Sequence, residues 1–379
     1  QQLQDAAIDF ARGALGSDMH ARDREKRFSH EDWKKCAEFG VQGMPVSREY
    51  GGLGLGITSL IAVMEGLGYG CQDSGLLFSL NAHLWTNSIP ILIYGTEAQK
   101  RRYLAGVAKG DVWCQGFSEP NSGSDLASLR CRAVRDGDRY VINGQKIWSS
   151  YSMYADHCIL LTRTDPDAQK HRGISYFIMD MRAPGVEVRP IRQANGRAEF
   201  GEIFLTNVSI PAENMIGREN NGWRVAQATL ASERGVIAFE GAERQCYEIE
   251  AFYRKALASN AAWLNDDQLR REFMGFLAEM QAGRRMLRRV LAESETPEAS
   301  ASVLPSLVKL SATVLRQRIC SFMTRIAGIE GQDFVLLAEE PFGSPMFDFL
   351  SAFSGTIAGG TNEIQRNIVA ERGLGMPRI

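Results

Sequence analysis

Histidine is scarce, with five in 379 residues. None stands in an H-E-x-x-H or C-x-x-H setting, so the sequence offers no metal-ligand spacing and no metal site is expected. The seven cysteines, Cys36, Cys71, Cys114, Cys131, Cys158, Cys246 and Cys320, form no C-x-x-C pair and are odd in number. Thiols scattered in this way are those of a reduced, cytoplasmic protein rather than of a disulfide framework. Charge excess is missing too: a net charge of -2 and a pI near 6.3 supply no positive field of the kind that nucleic acid or an anionic membrane requires. Arg284-Arg285 and Arg288-Arg289 recur at helical spacing beside Met286 and Leu287 and read as a solvated helix face. No uninterrupted apolar run reaches the roughly 18 residues that a membrane-crossing helix needs, so neither nucleic acid nor a membrane is an expected partner.

What is present is apolar material, 44% of the chain, enough to build two or three domain cores. Residues 1–110 read as a helical domain. Asp5 to Leu15 carries apolar residues at three- and four-residue spacing, and Ser59–Gly68 and Gly75–Tyr94 are apolar enough to be buried helices. Thr96-Glu97-Ala98-Gln99 predicts a capping-box helix start. Between these segments lies Tyr50-Gly51-Gly52-Leu53-Gly54-Leu55-Gly56; its glycine spacing is not G-x-G-x-x-G and no strand precedes it, so a flexible interhelical loop is expected rather than a nucleotide loop.

Across residues 111–220 the period shifts from 3.6 to 2, with roughly six to eight short β segments. No helix interrupts them, which argues against a doubly wound parallel sheet. Residues 221–379 return to long helical runs, Trp223 to about Ser259, Asp267 to about Glu295 and Ser302 to about Ile329, of a length that packs side by side as a bundle. The expected class is α+β and multidomain: an N-terminal helical domain, a middle β domain and a C-terminal helical bundle.

The most informative stretch runs from Val112 to Asp156. It contains the polar loop Ser118-Glu119-Pro120-Asn121-Ser122-Gly123-Ser124-Asp125, dense in turn formers and short hydroxyls suited to wrapping a polar ligand. Two β segments follow, joined at Asp136-Gly137, and the second ends in Trp148-Ser149-Ser150. Taken alone, Trp148 reads as a buried core aromatic rather than as a ring that meets a ligand.

The motifs FSEPNSGSD, NGQKIW and the terminal GGTNEIQRNIVAERGLGMPR, in this order around a β domain, resemble those of the acyl-CoA dehydrogenase family over nearly the whole chain. That resemblance implies a middle domain that is antiparallel and barrel-like, FAD as cofactor, and α,β-dehydrogenation of an acyl thioester. The acyl group would be carried on coenzyme A or on a carrier protein. It implies cofactor contacts from Gln115, Phe117, Ser118, Gly123, Ser124, Trp148, Ser149, Ser150, Gly360, Thr361 and Glu363. Ser118 would bond the pyrimidine edge of the flavin, Ser124 would approach the phosphates or the substrate, and the serines after Trp148 would lie near flavin N5. Short hydroxyls and free backbone N–H groups can satisfy carbonyl and phosphate oxygens in such a loop.

The reaction needs a carboxylate to take the α-proton while the β-hydrogen leaves as hydride. Many family members carry this Glu just before the terminal G-T, where the present chain has Ala358-Gly359-Gly360-Thr361. Gly359 can take no proton. A minority of the family places the base in an E-R pair on the first long helix after the β domain, which here is Glu233-Arg234. Glu233 is therefore the expected base, flanked by apolar Leu230, Ala231, Val236 and Ile237, and Arg234, Gly359 and Ser124 are expected to meet substrate.

Members usually also carry R-x-x-F-G after the first bundle helix, for the pyrophosphate of FAD in a neighbouring subunit. The stretch YRKALASNAAWLNDDQLRREF lacks it. The partners implied are an electron-transferring flavoprotein and further subunits, as a homotetramer or a heterotetramer. Two other readings stay open: a flavin monooxygenase on the same fold, and a non-catalytic subunit of a heteromeric dehydrogenase.

Overall fold

The computed structural model describes residues 1–25, 27–232, 238–294, 302–332 and 344–377. The helices that come first are α1 (Gln2–Ala14), α2 (Met19–Glu25), α3 (His30–Phe39), α4 (Ile57–Gly70), α5 (Ser74–Thr86), α6 (Ser88–Tyr94), α7 (Glu97–Gln99) and α8 (Ala105–Lys109). Next come β1 (Trp113–Gly116), β2 (Arg132–Asp136), β3 (Arg139–Ser150), β4 (His157–Arg163), β5 (Ile174–Asp180), β6 (Val186–Ile191) and β7 (Phe200–Pro211). The chain then runs through α9 (Gly222–Ser232), α10 (Ala238–Ala258), α11 (Asp267–Ser294), α12 (Leu304–Ile326), α13 (Pro345–Ile357) and α14 (Asn362–Ile368). They fold into two compact units. One comprises Arg12–Leu60 and Gly75–Ser232; the other comprises Gln1–Ala11, Ile61–Ser74 and Glu233–Ile379.

In the first unit, the capping box at Thr96 forms as the local sequence predicts. Gln99 N–H donates to Thr96 Oγ1 at 3.3 Å and Thr96 N–H donates to Gln99 Oε1 at 2.8 Å. The Gln99 amide also donates to the carbonyls of Glu213 and Met215 at 2.6 and 2.8 Å, which ties the helix start to the far end of the β region. A π-helical turn, Lys100–Leu104, joins α7 to α8.

The seven strands form one sheet in the order β1-β4-β2-β3-β7-β6, with β5 on β4. The β2–β3, β3–β7, β6–β7 and β4–β5 pairs are antiparallel, whereas β1 pairs β4 in parallel with Cys114 opposite Cys158. β4 and β5 are buried on both faces. Cys158, Leu160, Phe177 and Met179 enter one core with Ile142, Ile203 and Val208; Ile159, Leu161, Tyr176 and Ile178 enter another with Ile91, Leu104 and Val107. This double burial explains why both strands read as continuous apolar runs rather than as an alternation.

Segment Ser74–Tyr94 reaches membrane-span length by mean hydropathy, although polar residues interrupt its apolar run. Its 21 residues have a mean hydropathy of 1.2, long and apolar enough by composition alone, and 72% of the window is buried. Asn81, His83, Thr86, Asn87 and Ser88 lie buried within it, and the α5–α6 break falls at Asn87. The apolar content is that of core helices. All seven cysteines are buried and unpaired by disulfides, and burial pushes the thiols of Cys131 and Cys320 up to about 11.

The glycine-rich run 50–56 is an interhelical loop, as expected, but an ordered one. Leu53, Gly54 and Leu55 N–H groups donate to the carbonyls of Gly43, Val46 and Met44 at 2.9, 2.7 and 2.8 Å. Gly52 sits where a Cβ would lie 2.1 Å from the Val46 carbonyl oxygen.

In the second unit, α10, α11 and α12 share a core of Ile249, Phe273, Phe276, Met280, Ile319 and Phe322. Arg316 of α12 pairs with Glu248 of α10 at 3.3 Å and with Asp348 of α13 at 3.6 Å.

Gly52→Ala should lower stability by about 3 kcal/mol, the upper end for overpacking. By contrast Gly283→Ala, within α11 where an added Cβ meets nothing within 4 Å, should raise it by about 0.5–1 kcal/mol. Denaturant titration of both variants checks the pair; equal effects would contradict the close approach at Gly52.

Candidate active site

The polar loop after β1 is anchored from beneath by two buried charged side chains. Lys146, in β3, is fully buried, and Glu119 is 8% exposed. The Lys146 ammonium donates to Glu119 Oε1 at 2.7 Å and to the Phe117 carbonyl at 3.1 Å. The Glu119 carboxylate also accepts from the N–H groups of Cys131 and Arg130 at 2.9 and 2.6 Å. Ser118 lies between these anchors, with its carbonyl accepting from Ile147 N–H at 2.9 Å. Reciprocal backbone bonds between Glu119 and Ser122, and Ser122 Oγ donating to the Asp125 carbonyl at 2.7 Å, close the turn that follows.

Gly123, Ser124 and Asp125 are left exposed on top. A hydrogen bond from Ser128, with Lys170 adding, holds the Asp125 carboxyl below its usual range. Gln115 lies half-buried in β1, and the Phe117 ring is committed to the core against Tyr176.

Trp148 resolves the two readings of its ring. The β3–β7 ladder slips between Lys146 and Ser149, and at this bulge Trp148 takes φ 62°. A bulge re-aims the side chain it carries, and an aromatic residue at positive φ holds strain that the surrounding ladder must maintain. The indole is 55% exposed and meets Phe200 edge-on at 6.0 Å, so it is not a core aromatic. Next to it Ser149 is 1% exposed, and its hydroxyl finds no hydrogen-bond partner among the described residues. Ser150 is half-buried at the end of the strand.

The terminal motif forms a second clamped turn, in the other unit. Gly359 and Gly360 have φ of 65° and 85°, and Thr361 caps α14 by accepting from Ile364 N–H at 3.2 Å. The Gln365 amide donates to the Gly359 carbonyl at 2.9 Å. Lys309 donates to the Gly360 carbonyl at 2.9 Å and to Asn362 Oδ1 at 2.8 Å. Burial pulls the Lys309 ammonium down to about 8. Gly359 is exposed, with nothing within 4 Å of where a side chain would begin, and Glu363 points outward in a 3.2 Å pair with Arg366. Glu233 and Arg234 lie outside the described residues.

Three family models match in chain order: the acyl-CoA dehydrogenase N-terminal domain over residues 1–111, the middle domain over 114–208 and the C-terminal domain over 220–374. Acyl-CoA dehydrogenase IpdE1 of Mycobacterium tuberculosis is 35% identical over 362 residues, 94% of this chain and 90% of its own. The chain belongs to the acyl-CoA dehydrogenase family. Acyl-CoA dehydrogenase FadE34 of the same organism is 37% identical over 295 residues, 78% of this chain, although the match spans only 39% of that relative's length. Among solved structures, the prolyl acyl carrier protein oxidase AnaB superposes with a TM-score of 0.86 at 28% identity, covering 99% of this chain and 98% of that one. PigA with FAD and proline superposes with a TM-score of 0.88 at 25% identity, covering 99% and 97%.

As an acyl-CoA dehydrogenase the protein is an oxidoreductase, and its cofactor is FAD. The residues present fit an isoalloxazine: an exposed indole on a rigid strand offers a flat apolar face, and the orphaned Ser149 hydroxyl beside it is a polar group awaiting a partner. Glu119, Lys146, Lys309 and Gln365 are supports that motif reading alone passed over. Glu119 and Lys146 lie inside the matching motifs, and their opposite charge is the signal that could have paired them.

Lys146→Met leaves the Glu119 carboxylate buried without its cation. Loss of about 3–5 kcal/mol and of the visible flavin absorbance is expected, with partial recovery in E119Q/K146M, where no charge is stranded. Full flavin content and an unchanged unfolding midpoint in K146M would show that the pair does not hold the loop.

Proposed function

We propose that this acyl-CoA dehydrogenase oxidises the Cα–Cβ bond of an acyl thioester to the trans-2-enoyl thioester and passes the electrons to an electron-transferring flavoprotein. The observation that carries the reading is Trp148, an exposed indole held at strained backbone in β3, two residues after the Lys146 of the Glu119–Lys146 anchor. Bound FAD supplies a hydride acceptor for the β-hydrogen.

The chain's own residues bind and orient. Trp148 packs against one face of the ring system, Ser118 and Ser150 offer hydroxyls to its polar edges, and the exposed Gly123-Ser124 backbone leaves room for phosphates or substrate. Thr361 and Glu363 on the clamped terminal turn contribute to the cofactor's surroundings. Removal of the α-proton falls to Glu233. Two sequence facts support that assignment: the E-R pair at Glu233-Arg234, and a glycine at position 359, where a side chain able to take a proton is missing. The absence of R-x-x-F-G from this chain supports an assembly in which a subunit of a different type completes the pyrophosphate end of the FAD site.

Trp148→Ala and Glu233→Gln should fail in different ways. The first should lose FAD, seen as a fall in flavin content. The second should keep FAD and lose anaerobic bleaching of the flavin across a panel of acyl thioesters, short branched to steroid-sized, that bleach the wild type. Bleaching at the wild-type rate in E233Q would remove Glu233 from the chemistry.

A further inference from the structure

Trp148 shares its unusual backbone with a second aromatic residue. Tyr151, three residues later, has φ 54°, so two aromatics in the left-handed region bracket Ser149 and Ser150. Left-handed backbone is cheap for glycine and asparagine and costly for a bulky side chain, and such outliers persist only where the surroundings hold them. At Tyr151 both the backbone and the ring are held. Its N–H donates to the Glu199 carbonyl at 2.8 Å, and its own carbonyl accepts from Tyr154 N–H at 2.9 Å. Its ring meets Phe28 at 5.8 Å, with the planes tilted by 48°.

Phe28 is in turn fixed from another part of the chain. Ser29 caps α3 by accepting from Asp32 N–H at 3.1 Å, which puts Phe28 just before the cap and Trp33 at the fourth helical position. An apolar pair at these two positions staples the entry of the chain into a helix, and the two rings lie 5.7 Å apart. Trp33 is 4% exposed and its indole N–H donates to the Gly110 carbonyl at 2.7 Å, so the staple is rooted in the core. From that root Phe28 also stacks on Tyr154 at 5.3 Å, with the planes 21° apart. Beside the turn lies a pocket of about 360 Å³, open to solvent and lined by Ser152, Met153, Tyr154, Met181 and Val188 among others, which leaves the turn room to relax. The ring contacts with Phe28 oppose that relaxation.

We propose that Tyr151 and Phe28 form an aromatic brace that positions the Ser149-Ser150 segment and the Trp148 indole for hydride transfer. The inference rests on the dehydrogenase reading and gives both residues a positioning role, exerted through Ser150 and Trp148. An asparagine or glycine at position 151 would relieve the strain, so the ring is what a tyrosine contributes there. Relaxation of Tyr151 toward extended backbone would rotate the peptide that follows Ser150 and re-aim the hydroxyl. A displacement of about 1 Å in such a group can cost on the order of a hundredfold in rate.

Y151N is the informative variant, because asparagine accepts left-handed backbone and only the ring is lost. Anaerobic reduction of the FAD-loaded enzyme, followed by stopped flow with the panel thioester that bleaches the wild type fastest, should slow about tenfold or more in Y151N. The thioester's dissociation constant should change less than about twofold, and flavin content and the unfolding midpoint should stay unchanged, because relief of strain offsets the lost ring contact. Y151F, the conservative variant that keeps the ring, should recover the rate. F28L keeps an apolar partner for Trp33 but offers Tyr151 no ring, so it should slow reduction too, and Y151N/F28L should be no slower than Y151N, since the two residues act through one contact. The flavin's midpoint potential and visible circular dichroism need no thioester; both should shift in Y151N and F28L and return in Y151F. If no thioester bleaches the wild type, the dehydrogenase reading fails, and these two readouts still decide whether the brace exists. A wild-type reduction rate in Y151N overturns the proposal, as do an unchanged potential and circular dichroism in that variant where no thioester reduces the enzyme. A slow Y151F, which would move the role to the hydroxyl, overturns it as well, and so do additive losses in Y151N/F28L or a fall in rate matched by losses of flavin and unfolding midpoint.

Discussion

The buried ion pair between Glu119 and Lys146 is the interaction on which the candidate site depends. A buried pair is a poor device for stability, because desolvating both charges offsets most of their attraction. Its geometry here explains why it is nonetheless useful. The ammonium reaches a carboxylate and a carbonyl, and the carboxylate also takes two backbone N–H groups, so one pair fixes the loop after β1, the start of β2 and the middle of β3 relative to one another. An apolar pair of the same volume would fill the space without specifying where Ser118 sits. Fixing Ser118 and Trp148 from a common point lets the loop and the strand act as one surface.

Trp148 depends on that anchor in a second way. Its left-handed backbone and exposed ring both oppose folding, one through strain and the other through apolar surface left in water. They persist because the β3–β7 ladder resumes on both sides of the bulge, from Gly144 to Lys146 and again at Ser149 and Ser150. Buried Lys146 sets the register two residues before Trp148. The strand over-determines the conformation, and the indole stays turned outward with the edge-on contact to Phe200 beside it.

Local rules were legible wherever the partners are close in sequence. The helical periods, the capping box at Thr96 and the strand segments are short-range signals and reappear as elements. Pairings made across distance were not. The parallel registers of β1 and β2 on β4 join segments some thirty to forty residues apart in a sheet whose other strand pairs are antiparallel, and nothing in the sequence of these strands distinguishes parallel from antiparallel. The double burial of β4 and β5 removed the alternation that usually marks a strand's two faces. In Ser74–Tyr94, length and hydropathy alone do not separate a buried core segment from a span. The motifs drew attention to Ser118, Trp148 and Gly359, the residues that face outward. The residues that hold them, Glu119, Lys146, Lys309 and Gln365, emerge only when both ends of each contact are in place.

Three buried or half-buried cations share one structural task, and their differences follow from what they hold. Lys146 clamps the flavin loop with a carboxylate at hand. Lys309 clamps the terminal glycine turn through a carbonyl and an amide oxygen only, with no carboxylate in contact among the described residues, and burial pulls it down to about 8. Arg163 holds three carbonyls. Desolvation lowers it as well, yet a guanidinium starts so high that it remains charged at any pH the fold survives. A lysine can thus serve as a clamp where only the hydrogen bonds matter, since a neutral amine still donates. Where the positive charge must also persist, an arginine is the side chain that can do both.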